Sequence, residues 1–164
     1  MTIRAATAQD AAAIAAIYNP YIAETTISFE EEPVSEVEMR ARIAAVQDGG
    51  LPWLVLERDG EIAGYAYATK WRVRHAYRFS VETTVYLAAP HAGKGAGTAL
   101  YTALLAHLRA AGCHLAIGGI AQPNAASVAL HEKMGYRKVA HFGEVGFKFG
   151  RWIDVGYWER RLDD

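Results

Sequence analysis

The stretch VETTVYLAAPHAGKGAGTAL, Val81 to Leu100, decides the fold. Its first half is rich in β-branched and aromatic residues and reads as a strand over roughly Phe79 to Ala88. Its end opens a helix from Gly97 to Ala110, with Leu100, Leu104 and Leu108 recurring every four residues and Leu105 beside them. Between them stand Gly93, Gly95 and Gly97 at alternate positions. Strand, glycine loop, helix is the layout of a backbone anion site. Glycines let main-chain N–H groups approach a ligand without a Cβ in the way. The helix start adds unpaired donors and the positive end of the dipole. Lys94 adds a full charge. The expected guest is a phosphate or pyrophosphate; the alternative is a glycine-rich turn that merely starts a helix.

Three guests compete. A P-loop fails, because Gly93-Lys94 is followed by Gly95 rather than Ser or Thr and no glycine sits five residues earlier. A dinucleotide loop fails, because the sixth position is Thr98 counted from Gly93 and Leu100 counted from Gly95, and no acidic residue ends the next strand, HLAIGGI. A coenzyme A loop of the form Gln/Arg-x-x-Gly-x-Gly/Ala fits Ala92-Gly93-Lys94-Gly95-Ala96-Gly97 at every position but Ala92.

Outward from this stretch the pattern is β-α-α-β-β-β-α-β-α-β-β. Residues 2–6 form a short strand, and Thr7 with Asp10 resembles a capping box before a helix bearing Ile14 and Ile17. Asn19 to Pro33 reads as a long structured loop. Ser35 with Glu38 caps a second helix ending near Gly49-Gly50. Trp53–Arg58 and Glu61–Trp71 flank an Asp59-Gly60 hairpin turn. His114–Ile120 is a buried strand, Asn124–Met134 a helix stopped by Gly135, and Tyr136–Phe142 and Trp152–Arg161 two closing strands. Parallel crossovers are needed only around the third and fourth helices. The expectation is a single domain over 1–164 with a mixed sheet in one layer.

The chain has 164 residues, 52% apolar and 21% charged, with a net charge of -1. That balance suits a soluble globular domain with a real core and lacks the basic excess of a nucleic-acid binder. The lone cysteine, Cys113, permits no intrachain disulfide. No apolar run approaches a membrane span and the first residues lack a signal-peptide core, so a cytoplasmic location is expected. The histidines show no metal-ligand spacing, so no metal is expected.

Val81–Thr98 resembles the acyl-CoA signature of the GCN5-related N-acetyltransferase (GNAT) superfamily, and PNAASVALHEKMGY its later helix block. The segments IYNPYIAETTISFEEEP, WLVLERDGEIAGYAYATKWRVRHAYRFSVETTVYL and VGFKFGRWIDVGYW resemble the phosphinothricin and methionine sulfoximine N-acetyltransferase group. The resemblance covers about residues 3–161. It implies a strongly twisted mixed sheet flanked by helices, whose central strands splay to admit pantetheine. A bulge near Thr84–Leu87 would explain the splay. It also implies acetyl-CoA as co-substrate, with Val85, Tyr86 and Leu87 on the pantetheine, Gly93, Lys94, Gly95, Ala96, Gly97 and Thr98 on the pyrophosphate, and Asn124 and Lys133 as further contacts. Group members are commonly homodimers.

Attack of an amine on a thioester needs a proton acceptor, an oxyanion donor and a route for the leaving thiolate. Glu82 stands where the resembling group carries its catalytic glutamate. An unperturbed carboxylate near about 4.3 is a weak base, and partial burial would strengthen it; the alternative is a solvated strand glutamate. His131 takes the place of a tyrosine in many members and either protonates the thiolate or packs under the pantetheine without transferring a proton. A free main-chain N–H at Val85–Leu87 is the expected oxyanion donor. Arg72 is the first choice to grip a substrate carboxylate, with Arg74 second; Val73, Thr83 and Thr84 are further candidates, and Phe29 and Trp71 are candidate pocket walls. Lys148, Arg151, Trp152 and Asp154 match the group's terminal signature, serving side-chain recognition, a hinge or a subunit contact. The expected reaction is direct acetylation of the α-amino group of a small amino acid or analogue. Acetylation of protein amines and a non-catalytic acyl-CoA sensor are the rival readings.

Overall fold

The computed structural model describes residues 1–163; Asp164, the last residue of the expected domain, lies outside the described residues. The elements are β1 (Thr2–Ala5), α1 (Ala11–Glu24), α2 (Glu36–Asp48), β2 (Trp53–Arg58), β3 (Glu61–Lys70), β4 (Ser80–Leu87), α3 (Ala96–Ala110), β5 (Leu115–Ala121), α4 (Ala125–Lys133), β6 (Arg137–Lys148) and β7 (Arg151–Arg161). The strands form one sheet in the order β1-β2-β3-β4-β5-β7-β6. Only β4 and β5 pair in parallel, joined by the α3 crossover. The crossover through α4 carries the chain past the position that β7 later fills.

Two apolar layers cover the sheet. On one face α3 packs Leu100, Tyr101, Leu104 and Leu108 against β2–β5. On the other, α1 and α2 bury Ile14, Ile22, Met39 and Ile43 against Trp53, Val55 and Tyr65. Ser35 caps α2, its Oγ accepting from the Glu38 N–H at 3.1 Å.

Three expectations need correction. First, the loop expected from Asn19 begins at Thr25, because α1 continues through Pro20 to Glu24. The proline forfeits one helical hydrogen bond, but continuing the helix buries Tyr18 and Ile22. The Asn19 side chain clasps the Val34 backbone, donating to its carbonyl at 3.0 Å and accepting from its N–H at 2.8 Å. Second, β6 runs on from Phe142 to Lys148, its pairing with β7 re-forming after a register shift between Phe142 and Gly146. Third, β4 carries no bulge at Thr84–Leu87. Its register with β3 is unbroken from Lys70↔Val81 to Gly64↔Leu87. The splay arises on the other side, where pairing with β5 stops after Glu82↔Ile117 while both strands continue.

Candidate active site

The parting of β4 and β5 leaves main-chain groups without a strand partner. The Ser80 carbonyl and the Ala88 N–H bond toward β3, while the Phe79 carbonyl accepts from His114 and Leu115 at the start of β5. Backbone alternation then turns Val85 and Leu87 to the gap and pairs Tyr86 with Tyr65 on β3. Of the three expected pantetheine contacts, Val85 and Leu87 offer backbone to the gap and Tyr86 offers its ring. The Tyr21 hydroxyl donates to the Leu87 carbonyl at 2.5 Å, so the Val85 N–H and C=O and the Leu87 N–H face the opening.

The gap continues into a cleft of about 330 Å³ lined by Val85, Leu87, Gly93, Gly95, Thr98 and Asn124 among others. Two of its glycines are required by conformation: Gly93 and Gly95 have φ of 74° and 82°, which side chains other than glycine adopt at a cost. Gly97 serves packing, since a Cβ there would lie 3.0 Å from Leu130 on α4. Gly95 is the N-cap of α3. The N–H groups of Ala96, Gly97 and Thr98 belong to the first helical turn, whose donors have no intrahelical acceptor. Asn124 caps α4, its Oδ1 accepting from the Ser127 N–H at 3.2 Å, which leaves its amide NH₂ free for the cleft. Lys94 is exposed at the turn. Lys133 sits exposed at the far end of α4, outside the cleft lining.

Below the cleft a narrower throat is lined by Glu82, Val85, Tyr101, Ser127 and His131. His131 is 3% exposed. Its Nδ1 lies 2.7 Å from the Ser127 carbonyl, so that nitrogen carries the proton. Its Nε2 lies 3.0 Å from the Tyr101 hydroxyl, which donates to it. Burial lowers the pKa of His131 against the smaller opposing effect of the Ser127 carbonyl, so the ring is neutral. Gly118 on β5 makes the room: a Cβ there would lie 2.7 Å from the ring.

Glu82 and Tyr86 project to the α1 side of the sheet, where a chamber of about 500 Å³ opens between Tyr18, Ser28, Phe29, Glu30 and Tyr157. Glu82 lines both throat and chamber. Burial pushes its carboxyl pKa up, and the nearby Arg72 charge opposes this more weakly. The Arg72 guanidinium stacks 4.0 Å over Trp71, which meets Tyr157 edge to face at 5.7 Å. Glu30 is bound on a two-pronged grip by Arg42, at 2.9 and 2.7 Å, and by the Tyr18 hydroxyl. Arg42 holds the Glu30 carboxyl below its ordinary range despite burial.

Other expected residues lie elsewhere. Val73 is 94% exposed, and Arg74 stands in the same exposed run, outside the chamber lining. Thr83 is buried on the α3 face, its hydroxyl 2.7 Å from that of Tyr136. Thr83 and Thr84 both line the throat rather than the chamber. The sequence reading missed Tyr21, Ile27, Tyr101, Ser127 and Tyr157. One signal was on view: two adjacent glycines in a buried strand, Gly118-Gly119, mark close approach of other groups. They admit His131 and Tyr157, whose ring would lie 3.0 Å from a Cβ at Gly119.

The acetyltransferase (GNAT) domain family matches residues 3–156. The chain belongs to the GNAT acetyltransferases. It is 44% identical over 163 residues to a phosphinothricin N-acetyltransferase of Alcaligenes faecalis, covering 99% of this chain and 83% of the relative. It is 38% identical over 164 residues to an L-methionine sulfoximine/L-methionine sulfone acetyltransferase of Salmonella typhimurium, covering 100% and 96%. The fold superposes with a TM-score of 0.94 on a GNAT phosphinothricin acetyltransferase from Sinorhizobium meliloti solved with acetyl-CoA, at 38% identity over 98% of this chain and 88% of that one. In this GNAT enzyme the free donors at the start of α3 and along β4 suit the diphosphate and pantetheine of acetyl-CoA. Among the described residues no group of three or more metal-binding side chains converges, and no helix is long and apolar enough to cross a membrane.

Proposed function

We propose that this GNAT enzyme transfers the acetyl group of acetyl-CoA to the α-amino group of a small amino acid or analogue, of the class represented by phosphinothricin, methionine sulfoximine and methionine sulfone. The observation that carries the reading is Glu82, a half-buried carboxylate with a raised pKa at the junction of the donor gap and the amine chamber. Glu82 takes one proton from the substrate ammonium. The freed nitrogen attacks the thioester carbonyl, forming the C–N bond, and the Val85 N–H steadies the oxygen that gains charge. The C–S bond breaks with its electron pair on sulfur, and the second amine proton passes to the thiolate. His131, neutral and with no proton on Nε2, positions the Tyr101 hydroxyl and is not itself the acid. Gly93 to Thr98 hold the diphosphate, with Lys94 as an outer charge, and Asn124 adds an amide donor. Arg72 binds the substrate carboxylate.

The enzyme acts as one domain and as a homodimer in the cytoplasm in this reading. Support for the dimer is the face of the β6–β7 hairpin turned away from the chamber, where Phe147 and Trp152 pack on one another and both stay exposed, with Val145 and Phe149 exposed beside the turn. Thiol release measured with acetyl-CoA over phosphinothricin, methionine sulfoximine, methionine sulfone, the common amino acids and peptide amines tests the substrate class. The highest kcat/KM is expected among the glutamine-like amino acids. Preference for a peptide amine, or thermal stabilisation by coenzyme A without turnover of any amine, overturns it.

A further inference from the structure

Lys148, at the end of β6, is 2% exposed and has no carboxylate partner among the described residues. Its ammonium has three N–H donors, and each finds a main-chain carbonyl: Ile22 at 2.8 Å, Thr25 at 2.8 Å and Ser28 at 2.6 Å. Two of these acceptors come from the end of α1, and the third, Ser28, from the loop that follows. Ile22 lies in the last turn of α1, where carbonyls lack intrahelical donors, and Thr25 is the C-cap. That last turn contains no basic side chain of its own. A cation from the opposite end of the chain therefore sits at the negative end of the α1 dipole and fixes the turn that follows. Desolvation lowers the Lys148 pKa, opposed by the charges of Glu31 and Glu30.

The segment so held is a wall of the site. Ile27 lines the donor cleft, the throat and the chamber, and Ser28 and Phe29 line the chamber. The same β6 strand touches this wall a second time. A Cβ on Gly146 would lie 2.4 Å from the Phe29 ring, so the ring rests directly on the Gly146 backbone.

We propose that Lys148 is a positioning residue for amino-acid binding: its ammonium, clasping three carbonyls, sets Ile27, Ser28 and Phe29 at the distance from Glu82 that the substrate requires, with Gly146 as the seat of the Phe29 ring. The inference rests on the acetyl-transfer reading for its kinetic consequence but not for its structural one. Contacts that fix a wall of a site change binding of the ligand that wall touches, and small displacements cost large factors. The diphosphate turn is built on another element, so acetyl-CoA affinity is affected less.

Lys148→Met keeps an unbranched side chain, one heavy atom shorter, and removes all three donors. Its KM for the best amino acid is expected to rise about tenfold while the acetyl-CoA dissociation constant moves by less than about threefold. Hydrogen exchange at the amides of residues 25–30 is expected to accelerate, more than in the β2–β4 core. Gly146→Ala, which leaves Lys148 in place, is expected to raise the same KM by displacing Phe29; it keeps the test open if Lys148→Met does not fold. A variant that merely loses stability shows a smaller active fraction, with kcat lowered and KM unchanged. That pattern overturns the proposal, as does wild-type exchange across residues 25–30 in Lys148→Met. The exchange measurement needs no turnover, so its outcome is separate from that of the acetyl-transfer reading.

Discussion

At the scale of the residue, Glu82 carries opposite consequences for activity and for stability. Its folded-state pKa is raised by burial. The stability contributed by the protonated form is present below the unfolded pKa and is lost as pH rises through the folded value. At pH 7 the ionised carboxylate therefore weakens the fold. Glu82→Gln is expected to raise the melting temperature at pH 7 and to lower kcat by about 10²-fold, with acetyl-CoA affinity unchanged. In wild type kcat/KM should fall on the acid side of the raised Glu82 pKa, and the variant should lose that limb. A melting curve and a pH-rate series check both halves. Arg72→Ala is expected to raise KM about tenfold, or about 1.4 kcal/mol, for substrates with a free carboxylate. Arg72 is exposed beside the chamber rather than in its lining, and a similar rise for simple amines in the same thiol-release assay would overturn its assignment to the substrate carboxylate.

At the scale of the element, the turn before α3 depends on two left-handed glycines. Gly95→Val forces a β-branched residue to a φ near that of Gly95, 82°, at a strain of about 1–2 kcal/mol. Open space surrounds the new Cβ, so the fold is expected to survive while acetyl-CoA affinity falls at least tenfold by calorimetric titration. This element was legible in sequence because its glycines and leucines act locally. The α1 extension was not, since Pro20 and Asn19 look like a loop until burial of Tyr18 and Ile22 and the clasp on Val34 outweigh local preference. The length of β6 was hidden for a related reason: pairing with β7 resumes at Gly146 after the shift that follows Phe142. The opening between β4 and β5 was expected, but its cause lies in where two strands separate, which only tertiary geometry reveals. It was the family resemblance, not local sequence, that pointed to Glu82 and His131. Neither could tell that Thr83 turns to Tyr136, that Val73 faces solvent, or that Lys148 reaches back to α1.

At the scale of the whole molecule, the β6–β7 hairpin presents aromatic side chains to one side and grips the chamber wall with the other. Trp152, 62% exposed, anchors the proposed dimer contact. Trp152→Glu is expected to shift the species seen by light scattering from dimer to monomer, since a charge at the core of an apolar contact is costly; an unchanged mass places the contact elsewhere. A separate consequence follows from the three residue pairs that join β4 to β5. Two slabs of sheet, one ending in β4 and one beginning with β5, meet along a seam sewn at one end only. In the proposed reading acetyl-CoA lies along the unsewn length and bonds the peptide groups of Val85 and Leu87 that β5 does not reach. The donor is then expected to brace one slab against the other, so amide exchange along β4 and β5 should slow when acetyl-CoA is bound.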